Sequence, residues 1–360
     1  MTHEIDEKLR TMRAALTAGG LGALRLRGVD WFAWATGGGS SVVNLAAEVG
    51  VAEVLVTSRG AWVLTDPIEA PRLRDEELRP GFTVQVDPWA EPVRRDQFVA
   101  VEASGEVASD RPHGGERHLP GGLLEAKRTL LPAEIARYRV LGHDAAAAVT
   151  DVLTAAHPGW SEAALAGAAA EALWRQGIHP IVTLVAGAHR LPRYRHPLPT
   201  GASLGRLAML VVCGRRGGLY ANLTRFVSFG GLTTEERQAF ALVARVEAAA
   251  LDASRPGTRL DEVYRVLAQA YAREGRPGEE AFHHQGGTTG YLAREVVATP
   301  STTDSLGVGS ALAWNPSVVG MKIEDTVVLT TAGIEILTVD PRWPTVEVAG
   351  RARPTVWERA

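Results

Sequence analysis

The sequence predicts an α+β fold in which helices pack on one face of an antiparallel sheet, preceded by a smaller α/β domain. Three observations predict it. In the second half, two helices, two or more strands, two more helices and then several strands follow one another as blocks, whereas a parallel sheet needs strand–helix alternation. Residues 1–130 instead read as short alternating elements, closed by a stretch at 104–122 rich in Gly, Pro, His and Arg that reads as loop or linker. A length of 360 residues allows about two domains. The expected organisation is therefore an N-terminal domain at 1–130 and a larger domain at 131–360.

The elements follow from periodicity and punctuation. Glu4 to Ala18 has an amphipathic helical pattern closed by Gly19-Gly20. Ala23–Leu26, Glu53–Thr57, Ala61–Thr65 and Thr83–Asp87 are short apolar or alternating runs between turn residues, which predicts strands. Pro132 opens a long helix through about Ala156, stopped by His157-Pro158-Gly159. Ser161 caps a helix running to Gly177. Thr233 with Glu236 forms a capping box, and Thr258 with Asp261 a shorter form of one. Strands are expected at Ile181–Ala186, Leu207–Val212, Ala311–Trp314, Thr326–Thr331 and Ile334–Val339.

Composition excludes several classes. A net charge of -3 gives no field for nucleic acid. No run of about 18 apolar residues exists to span a membrane. The N-terminus, MTHEIDEKLR, has no signal-peptide pattern, and one cysteine, Cys213, forms no intramolecular disulfide, so a reducing cytoplasmic setting is expected. Cys213 lies in the apolar run LVVC and reads as a buried, inert thiol. Trp31, Trp34, Trp62 and Trp89 read as core or interface residues of the first domain.

From Ala172 to Thr234, 63 residues contain no Asp or Glu, although the chain's 41 acidic residues would place about seven there. The same span holds eight arginines and His179, His189 and His196. Hard divalent cations need carboxylates, which this span cannot supply. It can supply a cationic surface for a substrate carboxylate, or the arginines simply line solvated strand edges.

Several segments, in order, resemble the creatinase/Xaa-Pro-peptidase family, which includes prolidases, aminopeptidase P and methionine aminopeptidases. Trp34-Ala35-Thr36-Gly37 resembles its Y-L-T-G. Ile181 to Gly187, followed by Arg195-His196-Pro197, resembles its tivasG … PH. Asn222-Leu223-Thr224-Arg225 resembles D-x-T-R, and Gly286 to Glu295 lies without gaps on GHGxGxxxHE. Trp314-Asn315-Pro316 resembles x-E-P-G, and Ile323-Glu324-Asp325-Thr326 resembles x-E-D-T. The resemblance implies a pita-bread catalytic domain, a smaller creatinase-like N-terminal domain and a homodimer.

The same resemblance implies a lost metal site. The family holds two metal ions with two Asp, one His and two Glu. Those positions fall here at Val211 or Val212, Asn222, Gly287, Asn315 and Glu324. The family's further histidine falls at Arg294. A dinuclear Mn, Co or Zn site is therefore not expected, and no cofactor is. Asn222→Asp, Gly287→His, Asn315→Glu and Arg294→His together would restore most of the pattern. What remains is His196, matching the histidine beside the scissile bond, with Glu324 as the second catalytic candidate. His283, His284, Arg294, Tyr291, Arg225, Asn222 and Asn315 are the substrate-binding candidates. Creatinase is a family member that hydrolyses a small guanidino acid without metal through a histidine acid–base, and ectoine hydrolases are similar candidates.

Three readings follow. One is a metal-independent hydrolase of a C–N bond in a small carboxylate-bearing substrate, amino-acid-like or Xaa-Pro, with His196 as general acid and base. Another is an Xaa-Pro dipeptidase or aminopeptidase with unorthodox metal binding. The third is a non-catalytic pseudo-peptidase that binds a small ligand or protein partner.

Overall fold

The computed structural model describes residues 2–359. The chain divides into two compact units, Met1–Glu134 with Gly217–Leu219, and Ile135–Arg216 with Tyr220–Ala360.

The first unit is built on a six-stranded mixed sheet in the order Thr83–Val86, Ala61–Thr65, Val49–Thr57, Ala23–Gly28, Val107–Ser109 and Arg117–His118. The central strands 23–28, 49–57 and 61–65 are antiparallel neighbours, and the outer strands join in parallel. The helix Thr2–Gly19 ends at Gly20, whose φ of 61 is the left-handed value that glycine adopts freely. The stretch 104–122 is corrected here: it contributes the strands Val107–Ser109 and Arg117–His118 to the sheet. At three and two residues, neither is long enough to show a two-residue hydrophobic alternation. Trp31 and Trp34 are buried with their rings edge to face, whereas Trp89 is exposed.

The second unit is α+β. One sheet runs Val296–Val297, Gly286–Thr289, Ala311–Trp314, Asp325–Thr330 and Gly333–Ile336, every pair antiparallel. The other runs Trp357–Arg359, Leu219–Phe229, Leu207–Arg216 and His179–Gly187. The sheets meet where Thr224 bridges Glu324 and where the Asn222 backbone N–H donates to Thr326 Oγ1 at 2.7 Å. Helix Glu162–Arg175 is capped by Ser161, whose hydroxyl accepts from Ala164 N. Helix Thr234–Ala253 has the full Thr233/Glu236 capping box. Phe240, Val243, Val246, Val263 and Leu267 from the helices 234–253 and 260–273 share one core with Met209, Val211, Trp314, Val327 and Leu329 from the sheets.

The cap at Thr258 is corrected. Helix Leu260–Arg273 has Arg259 at its N-cap, with no side-chain cap. The Asp261 carboxylate is instead held by the Arg259 guanidinium at 3.0 and 2.9 Å, so it cannot close a capping box.

Beneath the helices lies a buried charge network. Arg353, 1% exposed, donates to both oxygens of Glu247 and to Asp325 Oδ2, while Arg225 donates to Asp325 Oδ1 at 2.8 Å. Removing one partner of such a network strands the others as uncompensated buried charges. Arg353→Ala is therefore expected to lower unfolding free energy by roughly 3–5 kcal/mol. Urea unfolding monitored by circular dichroism measures this. A loss below about 1 kcal/mol would mean that the network is open to water.

Candidate functional site

The site's histidines come from two segments that are each tied down locally. His196 sits in the connection between strands His179–Gly187 and Leu207–Arg216. The fully buried Glu162 carboxylate fixes that connection, accepting from Gly187 N at 2.9 Å, Thr200 N at 3.0 Å and Thr200 Oγ1 at 2.7 Å, and pairing with Arg190. Next to His196, Arg195 donates to Ser317 O and Oγ and pairs with Glu279, while Pro197 O accepts from Val185 N.

His283 and His284 lie between a 3₁₀ turn, Glu279–Phe282, and strand Gly286–Thr289. The Gln285 side chain ties this segment to itself, donating to His283 O and Glu280 O and accepting from the Tyr271 hydroxyl at 3.0 Å. His196 Nε2 and His283 Nε2 are 2.8 Å apart, so one of these two nitrogens carries a proton that the other accepts. The His196 and His283 rings meet at 74°, and the His283 and His284 rings stack at 22° with centroids 4.5 Å apart.

Burial, and then the cation of Lys322, pushes His283 down to about 2. Burial, and then Arg294, pushes His284 down to about 4. Burial, and then Lys322, also lowers His196. All three imidazoles are therefore neutral at pH 7.

Glu324 and Asp325 are adjacent but serve opposite faces, as strand alternation requires. Asp325 faces the helices and the Arg353 network. Glu324, 1% exposed, faces the other way and is held by two cations: Arg294 Nη2 at 2.5 Å and Lys322 Nζ at 3.0 Å. Thr224 Oγ1 donates to it at 3.1 Å. Burial alone would raise this carboxyl, but Lys322 and Arg294 outweigh burial and hold it down at about 2. A carboxylate depressed in the folded state contributes stability above its unfolded pKa of about 4.5, and that contribution is lost as pH falls through about 2. Between those pH values the shift corresponds to roughly 3 kcal/mol. The pH dependence of unfolding free energy should be shallower over that window in Glu324→Gln, and an identical slope would show that the clamp is absent in solution.

The donors present do not fit a dinuclear metal centre. Val211 and Val212 are buried in strand Leu207–Arg216, apolar in either register. Asn222 donates its amide to Thr289 Oγ1, and both Asn222 Oδ1 and Asn315 Oδ1 are buried without a donor. Gly287 closes the site sterically: at φ 155, a β-carbon there would lie 2.0 Å from Val296 O. A histidine cannot be placed at that position without moving the neighbouring strand, which corrects the expectation that four substitutions would restore most of the pattern. The sole remaining carboxylate, Glu324, is engaged by two cations. Among the described residues, the only group of three or more His, Cys, Asp or Glu whose ligand atoms converge is His196, His283 and His284.

The structure thus brings His196 together with His283 and His284, and Glu324 together with Arg294. One predicted binder, Arg225, is corrected. Arg225 lies on the opposite face from Thr224, donating to Asp325 Oδ1 and to Thr338 O at 2.8 Å each. Tyr291 is 1% exposed and its hydroxyl accepts from Arg137 at 2.8 Å. Lys322 was missed, although a signal existed: it is one of only three lysines among 38 basic residues. All three are buried in ion pairs, Lys8 with Glu4 and Glu134, Lys127 with Asp30, and Lys322 with Glu324. Cys213 is buried and its thiol is pushed up to about 12 by desolvation, so it is no nucleophile.

The fold is that of a pita-bread domain with an N-terminal domain before it. The profile Peptidase_M24, metallopeptidase family M24, matches residues 136–331, and the chain belongs to that family. An uncharacterized peptidase of Staphylococcus aureus (strain MW2) is 28% identical over 124 residues, which is 33% of this chain and 35% of that protein. Only about a third of that relative's length is therefore matched. Among solved structures, an Xaa-Pro dipeptidase from Bacillus anthracis superposes with a TM-score of 0.76 at 16% identity, covering 99% of this chain and 100% of that one. The prolidase from Pyrococcus horikoshii OT3 gives a TM-score of 0.77 at 17% identity, covering 93% and 99%. At those identities the superpositions establish fold. No helix among the described residues is long and apolar enough to cross a membrane.

Proposed function

We propose that this family member is a metal-independent hydrolase of a C–N bond in a small carboxylate-bearing substrate, amino-acid-like or Xaa-Pro. The observation that carries the reading is the double clamp on Glu324. Two cations, Arg294 and Lys322, face one carboxylate, which leaves a surplus positive charge where the family pattern gathers anions. A substrate carboxylate balances that surplus by a charge-assisted hydrogen bond, and a divalent metal ion adds to it. Asn222 Oδ1 and Asn315 Oδ1, buried and lacking donors, suit N–H groups of the same substrate.

His196 is neutral, exposed at the site and hydrogen-bonded to His283, which orients its ring. It takes a proton from water as the water oxygen bonds to the scissile carbon. It then returns that proton to the nitrogen as the C–N bond breaks, so one water is consumed and no redox partner is needed. In this reading the protein works in the cytoplasm as a homodimer on a small molecule.

The test is a panel of Xaa-Pro dipeptides and N-substituted amino acids, each assayed with its carboxylate free and as the primary amide. Turnover of the free acids, with KM raised at least tenfold by amidation, is the expected result. Equal turnover of acid and amide would remove the role of Arg294 and Lys322. No turnover across the panel would overturn the hydrolase reading in favour of ligand binding alone.

A further inference from the structure

We propose that His196, His283 and His284 form a site for one imidazole-preferring divalent metal of the Zn²⁺ or Cu²⁺ class, and that filling it stops catalysis instead of supporting it. The inhibitory half rests on the hydrolase reading above, and the binding half does not.

The geometry supports a single ion. The candidate ligand atoms all lie within 4.8 Å of one another, so an ion at their centre would stand at most about 2.8 Å from each. Zinc–imidazole bonds are about 2.0–2.1 Å, so closing the site requires ligand-atom movements below about 1 Å, and the His284 ring must turn out of its 22° stack on His283 for both in-plane lone pairs to face one ion. His196 and His284 are exposed and have room to make them, whereas His283 is buried and supplies the fixed point. The 2.8 Å contact between His196 and His283 must open slightly, because ligands on a tetrahedral ion stand about 3.4 Å apart.

The donor chemistry selects the metal. Three imidazoles and no carboxylate suit zinc, copper and nickel, and disfavour manganese, magnesium and calcium. This is the reverse of the selection made by a carboxylate-rich dinuclear site. The surplus charge from Arg294 and Lys322 lowers affinity for a bare cation, and it favours an anion such as chloride or hydroxide as the fourth ligand. Inhibition follows because coordination occupies the lone pair with which His196 accepts a proton.

The experiment uses the full chain after chelator treatment, titrated separately with ZnCl₂, CuCl₂ and MnCl₂. One Zn²⁺ per chain is expected, with no Mn²⁺ uptake and with affinity reduced on the order of a hundredfold in His284→Ala. Electron paramagnetic resonance of the Cu²⁺ form of the unaltered protein should show hyperfine coupling from three nitrogens, a readout that depends on no variant folding. One equivalent of Zn²⁺ should abolish turnover. Failure to bind Zn²⁺, or fewer than three nitrogen donors with undiminished binding in His284→Ala, overturns the site and leaves the hydrolase reading intact. Stoichiometric binding with unchanged turnover overturns inhibition. Two ions per chain with increased turnover overturns both proposals. Absence of turnover before any metal is added defeats the hydrolase reading alone, because the binding arm still decides the site.

Discussion

His196→Ala is expected to lower turnover by roughly 10²–10⁴-fold, the range contributed by a positioned general acid–base. Its thermal midpoint should stay within a few degrees, because the side chain is exposed and the ring of its partner His283 still stacks on His284. The comparison that gives the result meaning is kcat against KM. A proton-transfer role moves kcat with little change in KM, whereas a residue that only shapes the pocket moves KM first. Unaltered kcat in a folded His196→Ala protein would remove the catalytic assignment.

The second large effect is on stability. Gly287→His is expected to destabilise the second unit by roughly 4 kcal/mol, combining a glycine-only backbone angle with a clash against a backbone carbonyl. The angle is φ 155, and the β-carbon would meet Val296 O at 2.0 Å. A carbonyl in a paired strand cannot rotate away as a flexible side chain could, since Gly287 and Val297 are register partners. Chemical denaturation of Gly287→His and of Gly287→Ala separates the two contributions: alanine should retain most of the penalty, because the clash arises at the β-carbon. A histidine variant as stable as the parent would show that the strand can shift, and would reopen the position to a ligand.

The fold was legible wherever the chain carries strong local punctuation. Pro132, Ser161 and the Thr233/Glu236 box each mark a helix start that the structure reproduces, and the order of blocks carries the α+β class. Strand Leu219–Phe229 was harder to see. It is buried almost throughout, and it carries Asn222, Thr224 and Arg225, whose polar groups find partners on other strands. A buried strand with polar residues on both faces shows neither alternation nor an apolar run. Once that strand is drawn, parity alone separates Thr224 from Arg225 and Glu324 from Asp325, and it assigns Arg225 to the helix-covered face.

The candidate site was legible in its losses more than in its contacts. The missing carboxylates at Asn222 and Asn315 follow from laying those residue types on the family's D-x-T-R and x-E-P-G segments. The pairing of His196 with His283, 87 residues apart, depends on how two loops are tied by Glu162 and Gln285, which no spacing rule contains. The Lys322 clamp had a compositional signal in the scarcity of lysine. Its partner stands two residues further on, and extended backbone puts residues two apart on the same face, which brings the ammonium to Glu324 at 3.0 Å.

The central claim is that a cationic clamp around Glu324 has taken the place of a metal centre. Turnover of the purified protein before and after exhaustive chelation, with elemental analysis of both samples, tests it most directly. Full turnover after chelation is expected, with far less than one metal ion per chain. Turnover lost on chelation and recovered on adding about two equivalents of Mn²⁺ or Co²⁺ would contradict it.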